Sequence, residues 1–342
     1  MSKKIICLGS LSLDIFFPYE DIAILDTPHD TLSKQKMVFE IGAKYRAQDR
    51  YDAPGGCAVN VAQGLARLGH CPFLISTLGE DGLGESLLKE VAREGVDISL
   101  VSRKKEYKTD IGIIVIDKKT GERTIFYNRD ANEHIDFSQD MFFSETPLFL
   151  GGLYGDWKKG IVEIFQYAKS SNCPVYYNPS HNNIENDVLV VWEKCLESEG
   201  VFLNKDEAME LFFLLNKKNL SSLVFDGDRL ESEEYLASSI ARSGHSKFVV
   251  ITDGSRGAWV YDRSFDSVFR QEGKNIDSVK DSTGAGDSFT SGFLSAILYG
   301  KSTKIALEWG INNATNVIKY YGAKEGLLSL EDMENLDKKK NE

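Results

Sequence analysis

Apolar and polar residues alternate along this chain in a way that changes character twice. Ile5 to Leu8 is a short, fully apolar run that stops at Gly9-Ser10, and it predicts a first buried strand. Met37 to Ala53 mixes β-branched, aromatic and polar residues and predicts extended strands exposed on one face. After Pro54-Gly55-Gly56 the period becomes helical, with Val61, Leu65 and Leu68 on one face and Gly69 where a helix stop belongs. Phe73–Leu78 predicts a strand, and Gly84–Glu94 a helix ending at Gly95. Ile111–Ile116 and Arg123–Tyr127, joined by a turn at Lys118–Gly121, predict a hairpin. From Pro147 onward strands and helices take turns. The strands are Leu148–Leu150, Val175–Tyr177, Val201–Leu203, Phe248–Thr252 and Ala258–Tyr261. The helices between them are Gly160–Ser170, Glu207–Leu215 and Glu231–Ser243. Such alternation predicts a mostly parallel sheet covered by helices. The lysine-rich end, Lys338 to Glu342, reads as a frayed tail.

Composition narrows the functional classes. Forty Lys and Arg against 52 Asp and Glu give the 342-residue chain a net charge of −12, which opposes nucleic-acid backbones and anionic lipid. No stretch is long and apolar enough to span a bilayer. Cys7, Cys57, Cys71, Cys173 and Cys195 are odd in number and scattered, which points to reduced thiols and a cytoplasmic location. The five histidines are dispersed and lack metal-ligand spacing. Gly300-Lys301-Ser302 imitates a P-loop end, but it closes a helix and does not open one.

Two constellations carry chemistry. In Asp281-Ser-Thr-Gly-Ala-Gly-Asp287, the apolar face Phe289, Phe293, Ile297 announces a helix that begins close to Asp287. Gly284, Ala285 and Gly286 at its mouth let backbone N–H groups approach an anion at the positive helix end. Asp287 is either the helix N-cap or a base that deprotonates a hydroxyl attacking a phosphoryl group. In the second reading the helix end favours its ionised form. The other constellation is Gly55-Gly56-Cys57-Ala58-Val59-Asn60. Here a Gly-Gly turn opens a helix, and Asn60 offers an amide to polyol hydroxyls or merely to water.

Together the two stretches resemble the two signatures of the ribokinase-like (PfkB) carbohydrate kinase family, in the family's order, over Ile5 to about Leu330. The resemblance implies a three-layer α/β/α sandwich with a mostly parallel central sheet and a small β-sheet lid. It implies one domain over 1–335, with the lid drawn from about 12–18, 37–53 and 107–130. It further implies ATP-dependent phosphoryl transfer to a sugar or nucleoside hydroxyl, with Asp287 as general base and the Gly284–Gly286 backbone stabilising the transferred group. Asp14, Gly55, Gly56 and Asn60 would hold the acceptor. Asn204, Glu207, Thr252, Gly254, Gly257 and Asn313 would line the nucleotide site. Glu207 would help hold Mg²⁺ through water, and Asp281 with Thr283 a monovalent cation such as K⁺.

Arg129, at the end of Arg123-Thr-Ile-Phe-Tyr-Asn-Arg129, resembles a lid-side position of 2-keto-3-deoxygluconate kinases and fructokinases, where an arginine meets an acidic sugar. A solvated hairpin arm is the plain alternative. Cys57 stands where many relatives carry a lysine, which disfavours the sugar-phosphate kinases that use that lysine. An isolated lid needs an apolar partner, so a homodimer through the lid is expected. Two other classes stay in view. A non-catalytic sugar or nucleotide sensor on the same scaffold would need no base. A dinucleotide oxidoreductase would need a G-x-G-x-x-G turn that Gly9-Ser10-Leu11 does not supply.

Overall fold

The continuous apolar runs form one large sheet because both of its faces are covered. The computed structural model describes residues 2–20, 22–27, 35–218, 226–276 and 278–341. Fifteen strands are described: β1 (Lys4–Leu8), β2 (Ser12–Tyr19), β3 (Ala23–Asp26), β4 (Gln35–Val38), β5 (Tyr51–Gly55), β6 (Cys71–Gly79), β7 (Val101–Lys104), β8 (Ile111–Asp117), β9 (Arg123–Asn128), β10 (Leu148–Leu150), β11 (Val175–Tyr177), β12 (Gly200–Asn204), β13 (Phe248–Thr252), β14 (Ala258–Asp262) and β15 (Ser267–Gln271). The large sheet has the order β15-β14-β13-β12-β11-β10-β1-β6-β7. Its pairs are parallel except β13–β14 and β14–β15, which are antiparallel.

Successive residues of each strand enter different cores, as the pleat requires. Ile6 and Leu8 join a core under α3 (Trp157–Ser170), α4 (His181–Asn186), α5 (Val188–Glu197), α6 (Lys205–Lys217) and α7 (Glu233–Ser243). Ile5 and Cys7 join the opposite core, under α1 (Cys57–Arg67), α2 (Gly82–Arg93), α8 (Ala285–Leu298) and α9 (Thr303–Val317). Met333 of α10 (Leu330–Asn341) closes that second core, so the tail expected to fray carries on as a helix to Asn341. The chain thus has helix, sheet and helix layers. Gly300 ends α8 with φ +75°, and Ser302 caps α9, as the helix-stop reading requires.

A second sheet, β5-β2-β8-β9, lies apart from the first. Its core is Phe16, Ala53, Ile114 and Ile116, with Tyr321 packed against them. The expected strands over 37–53 need correction. Only the ends are strand: β4 pairs with β3 in a separate two-stranded ribbon, β5 joins the small sheet, and residues 39–50 are irregular. Mixed polarity without strict alternation gave no register to extend. Beyond the predicted elements, the fold adds β7, β15, α4, α5 and α9.

Candidate active site

The carboxyl ends of β11, β12 and β13 open onto a cleft, the place where ligands bind in open α/β sheets. Its walls include Asn178, Asn204, Glu207, Thr252, Arg123 and the start of α8. It holds about 250 Å³ and shares Thr252, Ser282, Ala285 and Gly286 with a neighbouring cleft of about 370 Å³.

The start of α8 is built by Asp281. This fully buried carboxylate accepts N–H bonds from Thr283 (2.8 Å) and Gly322 (2.9 Å), which pins the turn before the helix. Gly284 is the N-cap in left-handed conformation, φ +72°, which a glycine adopts at no steric cost. A Cβ on Gly286 would meet nothing within 4 Å, so backbone there faces open space. Asp287 is the third helical residue and makes no capping bond. Its Oδ2 accepts from Asn60 Nδ2 at 2.8 Å. Burial pushes its carboxyl above the ordinary range. Asn60, the Cys57 thiol and the Arg123 guanidinium pull it back. The helix dipole favours the ionised form, and desolvation outweighs it. The Cys57 thiol also lies 3.6 Å from Asn178 Oδ1.

On the small-sheet side, Asp14 of β2 is wedged between neighbouring strands. A Cβ on Gly55 would sit 2.0 Å from Asp14 Oδ2, and one on Gly112 would sit 2.6 Å from Oδ1. Ser12 Oγ donates to Oδ1 at 3.1 Å. Burial raises Asp14 to about 6 against the pull of Ser12, and the Asp287 and Asp281 charges add to the rise. Asn60 is 6% exposed, and its Oδ1 has no hydrogen-bond partner. Gly56 opens α1 with φ +109°. Arg129 lies between the rings of Tyr127 (4.1 Å) and Tyr154 (3.3 Å), and burial, with the Asp287 charge adding, raises Tyr154 against the pull of Arg129.

On the nucleotide-candidate side, Asn204 and Glu207 form a reciprocal capping box at the start of α6, with bonds of 2.8 and 2.9 Å. Both also face the cleft. Burial, with Asp287 and Glu210 adding, pushes Glu207 up to about 7, while the Asn204 N–H and His181 pull it down. Thr252, Gly254 and Gly257 line the larger cleft beside the apolar Ile276, Val279, Phe289, Ala314 and Ile318. Asn313 is elsewhere. It is fully buried and ties Ser288 O (2.9 Å), Ser291 Oγ (3.1 Å) and Leu328 N (2.9 Å) together. One position along a helix rotates a side chain by about 100°, and the residues of α9 and its C-cap that meet the cleft are Ile311, Ala314, Thr315 and Ile318.

Arg123 is the residue that sequence reasoning passed over. It crosses from β9 to donate to Ser282 Oγ, and its buried Nε has no partner. The signal was present in the alternation. Residues 123, 125, 127 and 129 share one parity, so both arginines of the hairpin arm belong to one side. Among the described residues no group of three or more His, Cys, Asp or Glu is placed to hold a metal ion. Thr283 Oγ1 is buried without a partner. No helix among the described residues is long and apolar enough to cross a membrane.

Residues 22–329 match the family described as pfkB family carbohydrate kinase. The chain is 26% identical to the ATP-dependent 6-phosphofructokinase of Thermoanaerobacterium thermosaccharolyticum, over 94% of this chain and 97% of that one. It is 28% identical to the 2-dehydro-3-deoxygluconokinase of Bacillus subtilis, over 81% and 84%. The nucleoside kinase of Burkholderia thailandensis, solved with inosine, has the same fold, with a TM-score of 0.76 and 17% identity over 98% and 96% of the two chains. The chain therefore belongs to the pfkB family of carbohydrate kinases. Its class of reaction is ATP-dependent phosphorylation of a sugar or nucleoside.

Proposed function

We propose that Asp287 is the general base of this kinase and that the acceptor is a sugar or sugar-like alcohol held beneath the small sheet. The observation that carries this is the position of the Asp287 carboxylate. It touches Asn60 on the acceptor side and lies one residue beyond the Gly284–Gly286 backbone on the other. Asp287 takes the hydroxyl proton as the oxygen attacks the terminal phosphorus of ATP. The N–H groups of Gly284, Ala285 and Gly286, with Arg123, stabilise the charge on the transferred group. Asp14, Gly55, Gly56 and Asn60 hold the acceptor. The free Asn60 Oδ1 suits a hydroxyl donor, and the wedged Asp14 carboxylate suits two. The adenosine lies against Thr252, Gly254, Gly257 and the apolar wall of α9, with Asn313 a support behind that wall.

Glu207 and Asp287 are half-buried carboxylates, and the Asp287 charge adds to the rise of Glu207, a donor pair suited to a hard cation. Mg²⁺, held through water by Glu207, supplies neutralisation of phosphate charge when bound. The orphaned Thr283 Oγ1 beside Asp281 suits a monovalent cation such as K⁺. The small sheet, residues 12–19, 51–55 and 111–128, acts as a lid on a single domain, and its exposed apolar side joins two copies into a homodimer. Five free cysteines favour a reducing, cytoplasmic setting.

Arg129 points to an acidic sugar. Its guanidinium has aromatic neighbours on two sides and no carboxylate partner among the described residues. A nucleoside acceptor is the second reading, favoured by the tyrosines around that same arginine, which suit a base as well as a sugar acid. Coupled ADP release with ATP and Mg²⁺, across neutral sugars, sugar acids and nucleosides, tests both. Tight ADP binding with no release on any acceptor replaces the kinase with a non-catalytic sensor.

A further inference from the structure

Five charged side chains meet beside the loop that joins β13 to β14, and none of them lines either cleft. Lys205, the first residue of α6, follows Asn204 directly, and its side chain is only 7% exposed. Its Nζ lies 3.0 Å from Glu233 Oε1, 3.5 Å from Glu231 Oε2 and 3.8 Å from Asp253 Oδ2. Glu233 opens α7. Arg256 pairs with Asp253 and approaches Glu233 to 3.6 Å. Asp253 sits between Thr252 and Gly254, both of which face the nucleotide-candidate cleft. Its backbone is locked to that loop, since its N–H donates to Gly257 O (2.8 Å) and its carbonyl accepts from Arg256 N (2.9 Å). Asp253 cannot shift without taking the loop with it.

A buried ammonium needs partners on several sides, and removing it leaves carboxylates facing one another in poor solvent. Without Lys205, Glu233 and Asp253 share only Arg256, whose side chain is 58% exposed. Their repulsion acts on the loop that carries Asp253. Stability alone does not account for such a cluster, because well-packed apolar residues of similar volume serve a core as well or better. What the ions add is a fixed relation between two segments, Asn204–Glu207 and Thr252–Gly257.

We propose that Lys205 is a positioning residue for the nucleotide: through Asp253 it holds the β13–β14 loop against the start of α6, so that both segments meet one nucleoside di- or triphosphate. This rests on the reading of the cleft as the ATP site, and Lys205 itself does not touch the ligand.

The test titrates ADP with Mg²⁺ into wild type, Lys205→Met, Lys205→Arg and the double variant Lys205→Met/Glu233→Gln, with a thermal melt of each. The double variant removes the charge pair together and so keeps the fold available if the single variant is unstable. We expect Lys205→Met and the double variant to bind ADP about tenfold more weakly. KM for ATP should rise by the same factor, with kcat at saturating ATP kept for the sugar selected by the acceptor panel. Lys205→Arg should recover most of the affinity. ADP affinity within twofold of wild type in the folded double variant overturns the proposal. So does a loss that falls equally on the sugar. Absence of ADP binding in wild type overturns the reading of the cleft itself.

Discussion

The two sheets use their side chains differently. In the large sheet each strand feeds two cores, so Ile5 and Cys7 go one way and Ile6 and Leu8 the other, all fully buried. The small sheet has four buried core residues, while Ile113, Ile125, Phe126 and Tyr127 remain 40–60% exposed. Where both faces are packed, nearly every position is committed to the fold. Where one is packed, the others are free to carry recognition, and Asp14, Arg123 and Arg129 all belong to that sheet or its edge. On the proposed reading, the large sheet fixes the base and the anion cradle, and the small one chooses what reaches them.

Several substitutions can break or sharpen this contrast. Asp287→Asn should act through chemistry alone. Removing a general base costs about 10²–10⁴ in rate, and since Gly284 is the cap, ADP affinity and Tm should barely move. A normal kcat would show that the base lies elsewhere. Phe293→Ala, in the core with Phe202, Phe248 and Phe289, should cost about 3–5 kcal/mol in denaturant unfolding. Phe126→Ser on the small sheet should stay within about 0.5 kcal/mol and instead weaken self-association in sedimentation velocity. Equal destabilisation by the two would erase the distinction between the sheets.

Arg123→Ala should lower kcat about a hundredfold by removing a charged donor to the transferred group, and a change confined to KM would limit Arg123 to holding Ser282. Arg129→Ala should raise KM for a sugar acid by an amount equivalent to about 1.5–3 kcal/mol, and much less for a neutral sugar. Small, equal changes would return Arg129 to the solvent.

The mildest effect is one of pH. Asp14 and Glu207 titrate near 6 and 7 in the fold, against about 4 in the unfolded chain. Kcat/KM should therefore rise between pH 5 and 8 as both ionise. Stability should move the other way. Their contribution is complete below about pH 4 and fades as pH rises through 6 and 7, because there the fold binds protons that the unfolded chain has lost. Comparing Tm of wild type and Asp14→Asn across this range isolates one of the two, and parallel curves would reject the shift.

The strands with both faces buried were legible because apolar runs of that kind have few other uses, and Phe248–Thr252 was read to the residue. Asp287 stands out in the sequence because glycines and an acid precede a strong apolar helix face, and the fold gives the cap to Gly284 instead. Asn313, assigned from the resemblance, turns away from the cleft, and α9, buried on more than one face, has a period that names no single direction. Arg123 and the Lys205 cluster were illegible for a different reason. Their partners lie 159 residues away at Ser282 and 28 away at Glu233, and nothing local marks such pairs.

Asp14 fills space that Gly55 and Gly112 leave empty, and this ties the history of three positions together. While the acid is present, a methyl group at either glycine collides with it. Once the acid is replaced by something smaller, both glycines become free to change, and each change then blocks the way back. The order in which substitutions accumulate is thereby constrained. A lineage that loses the acid first can drift, and restoring the acid then takes two or three simultaneous reversions. The two absent side chains act as a ratchet on the carboxylate's survival.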